Sequence, residues 1–295
     1  MDSLSPRPPG EEILELMSRA ARAAGRAILE IYHQADHGVV TKQDDSPLTR
    51  ADLAAHRAIA ETLQDVMGGV PMVSEEDTPR PWSERRHWRR YWLVDPLDGT
   101  RDFIARNGQF SVNIALIEDG VAVLGVVLAP VQDTLYLGLR DAPDPALWRA
   151  WKYEADGGPS AIGVRSLADI SEAAPLTVVA SRRHHVGRTA RLMDLLGKEF
   201  GPVKRRDLGS SLKMCLIAEG QADLYPRYGP TGEWDTAAAQ AILEAAGGCL
   251  CGLDGLPRRY NCKASLINPA FYAAGDCSAG WAELLAQLAS EQVVR

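Results

Sequence analysis

The sequence contains no hydrophobic run long enough to cross a lipid bilayer. The longest apolar stretch, residues 121–131, is shorter than the roughly 20 residues that a spanning helix needs, and Gly125 and Pro130 interrupt it. The N-terminal segment MDSLSPRPPGEE also lacks the basic segment followed by an apolar one that is typical of a signal peptide. We therefore expect a cytoplasmic protein without a transmembrane segment.

The sequence contains few cysteines, and its basic residues are fewer than its acidic ones. The five cysteines form no C-x-x-C pair, so we expect buried, reduced thiols rather than a zinc site or a disulfide framework. The formal net charge is −7, which argues against a protein that binds nucleic-acid polymers but allows a local basic pocket for a phosphorylated small molecule.

Apolar residues are abundant enough for a large core. Hydrophobic residues make up 46% of the chain and charged residues 24%, as is typical of a folded protein with one large domain or two fused halves. Helical spacing of apolar residues predicts a helix from Glu11 and another from about Arg50 to Met67. Three consecutive strands, the first two joined by a hairpin at EDG, predict an antiparallel sheet, and later strands alternate with helices. We predict an α/β (α+β) protein with an N-terminal α+β half, 1–174, that binds metal, and a C-terminal α/β half, 175–295, that binds substrate.

The segment WLVDPLDGT places two aspartates three positions apart at the end of a predicted strand. Pro96 cannot continue a ladder of hydrogen bonds, so we expect the strand to end there. If the chain then enters a helix, the amides of Gly99 and Thr100 point toward the same spot as the carboxylates of Asp95 and Asp98. Two close carboxylates suit Mg²⁺, a hard cation that prefers oxygen ligands. The alternative is a turn with two solvated aspartates.

Further acidic residues stand where they could complete such a site. Glu75 and Glu76 follow a short predicted strand, and Asp235 opens a predicted helix. Asp52 lies three residues after Thr49, in the pattern of a helix start. For Asp52 and Asp235, an ordinary role at the start of a helix is an equally good interpretation.

Together these stretches resemble the lithium-sensitive, magnesium-dependent phosphatases of the inositol monophosphatase superfamily. SEED, WLVDPLDGTRDF and EWDTAAAQAILEAAGG stand in the same order, and the resemblance covers nearly the whole chain. NGQFSVNIALIEDG, SRRHH and GSSLKMCLIAEGQADLYPRYGPTGEWDTAAAQ look like the CysQ-type 3′(2′),5′-bisphosphate nucleotidases. The resemblance implies a layered α/β/α/β/α sandwich of the inositol monophosphatase and fructose-1,6-bisphosphatase type. It also implies hydrolysis of 3′-phosphoadenosine 5′-phosphate to AMP and phosphate. The sequence leaves open whether sulfate assimilation or RNA degradation supplies this substrate.

The resemblance further implies roles for individual residues. The expected metal ligands are Glu75, Asp95, the backbone carbonyl of Leu97, Asp98 and Asp235. The expected catalytic residues are Asp52, Thr100 and Glu75. The expected substrate-binding residues are Gly99, Thr100, His184, Ser210, Ser211, Lys213, Arg227 and Asp235. Two Mg²⁺ ions are implied, and a third, weaker ion near Glu75 is left open.

These roles describe a metal-dependent hydrolysis of a phosphate ester. The attacking water would lose its proton through the Thr100 hydroxyl to Asp52, a general base, while two metal ions about 4 Å apart support the reacting phosphate and the leaving oxygen. Basic residues of the C-terminal half would hold the second phosphate. For SRRHH a solvated turn, and for Ser210 and Ser211 a helix cap, are the ordinary alternatives.

Two other functions compete with this interpretation. An inositol monophosphatase or a broader sugar-phosphate phosphatase would share the metal site and differ in the pocket of the C-terminal half. A sensor of a phosphorylated ligand would need no pair of residues that activates water, so Asp52 and Thr100 argue against it. The resemblance also implies lithium inhibition and is consistent with a homodimer, and it leaves loose association with the inner membrane face open.

Overall fold

The fold consists of five stacked layers, in which three layers of helices enclose two β-sheets. The computed structural model describes residues 9–41, 47–64, 67, 69–78, 80–155, 157–180 and 186–290. The helices are α1 (Gly10–Tyr32), α2 (Arg50–Gln64), α3 (Trp82–Arg85), α4 (Thr100–Ile104), α5 (Val186–Phe200), α6 (Leu212–Ala218), α7 (Ala237–Ala245) and α8 (Trp281–Ser290). Across these described stretches, no helix is both long enough and apolar enough to pass through a membrane.

The first large sheet has seven strands and is almost entirely antiparallel. A short ladder of β1 (Val40–Thr41) and β2 (Pro47–Leu48) precedes it. In spatial order its strands are β3 (Met72–Ser74), β4 (Arg90–Asp98), β5 (Ser111–Glu118), β6 (Val121–Ala129), β7 (Thr134–Leu139), β8 (Arg149–Tyr153) and β9 (Ser160–Ala161). Strands β3 and β4 run parallel, and the other neighbours run antiparallel. The predicted hairpin is confirmed: Asp119 and Gly120 have φ angles of 47° and 78°, as a tight hairpin turn requires.

The second sheet is mixed, in keeping with the predicted alternation of strands and helices. Its five strands are β10 (Leu176–Ala180), β11 (Val203–Asp207), β12 (Leu224–Arg227), β14 (Cys249–Gly252) and β16 (Phe271–Ala274). A separate two-stranded ladder consists of β13 (Thr231–Gly232) and β15 (Ile267–Asn268). The spatial order is β11-β10-β12-β16-β14, and β13 pairs with β15. Strand β10 runs parallel to β11 and β12, whereas β16 runs antiparallel to β12 and β14.

Three buried clusters hold the layers together, and they confirm the predicted sandwich. Helices α1 and α2 pack on one face of the first sheet, with Met17 and Ile28 fully buried. Helices α6 and α7 lie between the two sheets, and α5 and α8 cover the outer face of the second sheet. The boundary proposed at residue 174 falls between the sheets. Because α6 and α7 share a core with the first sheet, the division into halves 1–174 and 175–295 stays a prediction.

A pair of glycines lets α7 approach the first sheet closely. Gly125 on β6 and Gly138 on β7 face each other across the ladder. A Cβ atom on Gly138 would lie 2.6 Å from the Cα atom of Ile242, and one on Gly125 would meet the carbonyl oxygen of Ala238. Side chains at these positions would therefore push the helix away. The close approach places the turn before α7, residues 233–235, against β4 and β5.

The expectation that the fourth strand ends at Pro96 is wrong. Strand β4 continues to Asp98, with Asp95 paired to Asn113 and Asp98 paired to Ser111. Three steps along β4 thus correspond to two steps along β5, which defines a β-bulge. A proline is tolerated here because the ladder of hydrogen bonds is already interrupted at a bulge.

The expectation of five buried, reduced thiols is also wrong. Cys249 and Cys277 form a disulfide, Cys215 and Cys251 are buried free thiols, and Cys262 is an exposed one. The paired cysteines lie 28 positions apart, but one begins β14 and the other follows β16, its antiparallel neighbour. This pairing brings their Cα atoms within 6.0 Å, a separation that a disulfide can bridge.

Candidate active site

One cleft gathers most of the site residues predicted from the sequence. Its volume is about 540 Å³, and residues of both predicted halves line it. The predicted residues on its wall are Glu75, Asp98, Gly99, Thr100, Ser210, Ser211, Lys213, Arg227 and Asp235. Asp52, Asp95 and Leu97 are buried, each 1% exposed. The remaining predicted residue, His184, lies outside the described residues.

The bulge in β4 determines how the two aspartates of the DPLD segment are presented. In a regular strand, side chains three positions apart point to opposite faces. Here Asp95 and Asp98 pair with Asn113 and Ser111, which are two positions apart on β5 and so share a face. The extra residue therefore returns both aspartates to the same face of the sheet. The backbone amide of Leu97, inside the bulge, donates a hydrogen bond of 3.0 Å to Oδ1 of Asp95.

Three carboxylates from three elements converge beside this bulge. Glu75, Asp95 and Asp235 each place one oxygen within 4.8 Å of the other two. Glu75 follows β3, and its amide donates to the carbonyl of Val94 on the neighbouring strand. Asp235 belongs to the turn before α7, and its Oδ2 accepts a hydrogen bond of 2.9 Å from the amide of Gly232. Backbone amides therefore hold the carboxylates of Asp95 and Asp235, whereas the bond to Val94 holds the backbone of Glu75.

The electrostatics of this cluster fit a divalent cation. Burial, followed by the charges of Glu75 and Asp98, raises the pKa of Asp95 well above its usual range. Burial and the charges of Asp98 and Glu75 do the same to the pKa of Asp235. Oδ2 of Asp95 is buried and has no hydrogen-bond partner within the described part of the chain. Buried carboxylates without compensation are costly, and a set of oxygen donors with an unsatisfied oxygen suits Mg²⁺.

Asp98 lies beside this trio and is held from the C-terminal half. Its Oδ2 accepts a hydrogen bond of 2.6 Å from the backbone amide of Ser211 and lies 2.7 Å from the hydroxyl of the same residue. Ser211 is 2% exposed. Two residues that the sequence assigned to different tasks, metal binding and substrate binding, are thus direct partners.

Asp52 stands at the start of a helix and also contacts a residue of the cleft wall, while its catalytic role stays a prediction. Its Oδ2 accepts hydrogen bonds from the amide and the hydroxyl of Thr49, at 2.7 and 2.5 Å, and so caps the start of α2. Its Oδ1 lies 3.2 Å from the hydroxyl of Thr100. Gly99, with a φ of 95° in the region that favours glycine, turns the chain from β4 into α4. This turn places Thr100 between the cleft and Asp52.

Two of the cationic residues on the wall of the same cleft were predicted from the sequence, Lys213 and Arg227. Lys213 is 6% exposed, and its ammonium group donates to two backbone carbonyls and lies 5.2 Å from the ring centre of Tyr225. Burial lowers the pKa of Lys213 to about 8. The guanidinium of Arg227 donates to two further backbone carbonyls at 3.2 and 3.0 Å. Both side chains are thus held in place where an anionic group in the cleft could meet them.

Some lining residues had no place in the sequence argument. Arg101 and Asp102 line the cleft and directly follow Thr100, so the same motif could have indicated them. Ile267 also lines the cleft and is 47% exposed. Nothing in its local sequence indicates this position, because it depends on the pairing of β15 with β13.

Known proteins are similar to this chain in both sequence and fold. A family model described as "Inositol monophosphatase family" matches residues 10–293. The 3′(2′),5′-bisphosphate nucleotidase CysQ of Shigella flexneri is 46% identical over 260 residues, which cover 88% of this chain and 98% of the relative. The crystal structure of CysQ from Bacteroides thetaiotaomicron has a TM-score of 0.76 and 38% identity, covering 90% of this chain and 97% of that one. An inositol monophosphatase structure from Zymomonas mobilis has a TM-score of 0.69 and 25% identity, with 96% and 99% covered.

Proposed function

The chain belongs to the inositol monophosphatase family, and on that premise we propose that it is a metal-dependent 3′(2′),5′-bisphosphate nucleotidase. Its reaction is the release of the 3′-phosphate from 3′-phosphoadenosine 5′-phosphate, which leaves AMP. The observation that carries this proposal is a single cleft lined by acidic residues, Glu75 and Asp235, and by the cations Lys213 and Arg227. A bisphosphate needs both, because one phosphate reacts at the metal while the other must be held elsewhere.

The proposed cofactor is Mg²⁺, held by the acidic cluster. Two ions would share Glu75, Asp95, Asp98, Asp235 and the backbone carbonyl of Leu97, and a third, weaker ion near Glu75 stays a prediction. When bound, Mg²⁺ supplies the positive charge that phosphoryl oxygens and a departing ribose oxygen require. The buried, unpartnered Oδ2 of Asp95 among the described residues supports this assignment.

Side chains and backbone amides of the chain accept the proton of the attacking water and bind the reacting phosphate. Asp52 takes the proton of the attacking water through the hydroxyl of Thr100, which lies 3.2 Å away. The hydrogen bonds from Thr49 hold Oδ2 of Asp52 and so direct Oδ1 toward Thr100. The backbone amides of Gly99 and Thr100, on the cleft wall, hold oxygens of the reacting phosphate.

The second phosphate is held at the basic part of the cleft. Lys213 and Arg227 supply the charge, and Ser210 supplies a hydroxyl on the same wall. His184, also assigned to this pocket from the sequence, stays a prediction. The homodimer and the cytoplasmic location stay predictions as well.

The test compares three substrates side by side. Phosphate release in the presence of Mg²⁺ is measured from 3′-phosphoadenosine 5′-phosphate, adenosine 3′-phosphate and inositol 1-phosphate. We expect the bisphosphate to have a kcat/KM at least about tenfold above that of adenosine 3′-phosphate, because a hydrogen bond to a charged group contributes about 1.5–3 kcal/mol. We expect Li⁺ to inhibit the reaction, as it does in the lithium-sensitive phosphatases that the sequence resembles.

An Asp235→Asn variant prepared in parallel is the control for contaminating phosphatases. Equal rates on all three substrates, or a preference for inositol 1-phosphate, would replace the nucleotidase by an inositol or general sugar phosphatase. Binding of the bisphosphate without turnover would indicate a sensor. Activity that Li⁺ does not affect would count against the family mechanism.

A further inference from the structure

Ser211 lies where carboxylates of the two predicted halves meet. It directly precedes α6 and is 2% exposed. Its Oγ atom lies 2.7 Å from Oδ2 of Asp98, 2.8 Å from the backbone oxygen of Asp235 and 2.7 Å from Nδ2 of Asn113. One hydroxyl thus contacts a candidate metal ligand from each half of the chain.

These contacts use the hydrogen of the Ser211 hydroxyl and one of its two lone pairs. A serine hydroxyl has one hydrogen to donate and two lone pairs that accept. The hydrogen has two acceptors, Asp98 and the carbonyl of Asp235, and the amide of Asn113 donates to the oxygen. Asn113 is itself oriented, because its Oδ1 accepts a hydrogen bond of 3.1 Å from the hydroxyl of Ser111. Asn113 is 1% exposed and Ser111 fully buried, so the chain of hydrogen bonds is shielded from water.

The same contacts determine which oxygen of Asp98 would be available to a cation. Among the described residues, the hydrogen bonds to this carboxylate all end on Oδ2: from the amide of Ser211 at 2.6 Å, from its hydroxyl, and from Asn113 at 3.5 Å. Oδ1 is therefore left for a metal ion. The hydroxyl of Ser211 also contacts the backbone of Asp235, and so it links the carboxylate at the end of β4 to the turn before α7.

We propose that Ser211 and Asn113 are positioning residues that hold Asp98 and Asp235 at the spacing a divalent cation requires. This inference rests on the proposed function. It assigns the Ser211 hydroxyl to the metal site rather than to direct contact with substrate, the role implied by the sequence motif. Hydrogen-bond partners of metal ligands typically change metal affinity or activity 10–100-fold when they are removed.

The test measures metal binding without substrate. Mg²⁺ is titrated into metal-free wild-type protein and into Ser211→Ala by calorimetry. We expect the Kd for Mg²⁺ to rise at least about tenfold in the variant. In kinetics, the Mg²⁺ concentration for half-maximal rate should rise by a similar factor, while KM for the bisphosphate at saturating Mg²⁺ stays within about twofold. The backbone amide of Ser211 still reaches Asp98 in this variant, so the fold should persist.

Three further variants show whether the hydroxyl itself is responsible. Ser211→Thr keeps the hydroxyl and should restore most of the affinity. Asn113→Leu should weaken Mg²⁺ binding in the same direction, and combining it with Ser211→Ala should add little, because the two residues act in one network. Thr134→Ala is the matched control, since Thr134 is a buried hydroxyl on β7 that does not line the cleft. If Ser211→Ala does not fold, Asn113→Leu provides the test, and its Kd for Mg²⁺ is expected to exceed that of Thr134→Ala.

The outcomes are distinct. Unchanged Mg²⁺ affinity in Ser211→Ala with a raised KM for the bisphosphate would make Ser211 a substrate contact and overturn the proposal. Unchanged affinity and unchanged KM would overturn it too, because the hydroxyl would then serve packing alone. Protein that binds Mg²⁺ in a Ser211-dependent way but does not hydrolyse the bisphosphate would support this inference and refute the proposed function.

Discussion

The hydroxyl oxygen of Thr100 lies 3.2 Å from Oδ1 of Asp52, a residue 48 positions earlier in the chain. The other oxygen of Asp52 accepts two hydrogen bonds from Thr49 at the start of α2. One carboxylate thus anchors a helix and faces the hydroxyl at the edge of the cleft. Its structural and its proposed chemical role can be separated by mutation, because different oxygens carry them.

Asp52→Asn should lower kcat by about 10²–10⁴-fold, the usual contribution of a general base. The amide oxygen can still accept from the backbone of Thr49, so the melting temperature should fall little. Thr49→Ala is the matched control: it removes a cap hydroxyl and should cost about 1 kcal/mol of stability with a much smaller effect on kcat. Comparable losses of kcat in both variants would assign Asp52 to the helix alone. Phosphate release and thermal melting provide the two measurements.

Removal of metal should destabilise the protein increasingly as the pH rises. Because burial and neighbouring charges raise the pKa of Asp95, the folded state binds more protons than the unfolded state between the ordinary and the raised pKa. The free energy of unfolding therefore falls as the pH rises through that interval. Melting with EDTA from about pH 5 to about pH 8 should show this fall, and Mg²⁺ should counter it most strongly at the upper end.

Asp95→Asn provides the control for this metal effect. It removes one buried charge, so the melting temperature with EDTA should depend less on pH and respond less to Mg²⁺, while activity falls by orders of magnitude. If neither Mg²⁺ nor EDTA changes the melting temperature of the wild-type protein, the metal assignment is contradicted.

The affinity for the second phosphate should weaken above a pH of about 8. Burial lowers the pKa of Lys213 to about 8, so its ammonium loses the proton, and with it the positive charge, as the pH rises past that value. KM for the bisphosphate should rise in this range, whereas KM for adenosine 3′-phosphate should not. Lys213→Met should have a high KM for the bisphosphate at every pH, and Lys213→Arg should abolish the alkaline rise. A Lys213→Met variant with the KM of the wild type would place the second phosphate elsewhere.

Counting the reactive thiols with and without reductant tests the disulfide between Cys249 and Cys277. Unfolded, unreduced protein should react with an alkylating reagent at three of its five cysteines, and reduced protein at all five. Reduction should lower the free energy of unfolding by roughly 2–4 kcal/mol. In Cys249→Ser, reductant should have no further effect on stability. Labelling of all five thiols without reductant would show that Cys249 and Cys277 are not joined.

The features that could be predicted from the sequence are those that depend on a local pattern of residues or on a short motif. The apolar spacing of α1, the hairpin at Asp119 and the layered architecture follow from periodicity, turn chemistry and family resemblance. The carboxylate trio was also anticipated, because its members stand in recognisable motifs. The continuation of β4 beyond Pro96 was not, because a bulge is defined by its partner strand. The Cys249–Cys277 pairing and the contacts of Ser211 likewise depend on residues distant in sequence.

The bulge in β4 also distinguishes two kinds of proposed metal ligand, the aspartate carboxylates and a backbone carbonyl. Two aspartates spaced by two positions would share a face of a regular strand, so the extra residue is not needed to align the carboxylates. In the register of β4 and β5, Pro96 and Leu97 have no partner residues, and the peptide carbonyl of Leu97 is thereby withdrawn from strand pairing. Deletion of Pro96 would keep the carboxylates of Asp95 and Asp98 on one face of the strand, and it would return the carbonyl oxygen of Leu97 to the hydrogen bonds between β4 and β5. The length of this segment, rather than its acidity, therefore determines whether an uncharged oxygen is available beside the acidic ones.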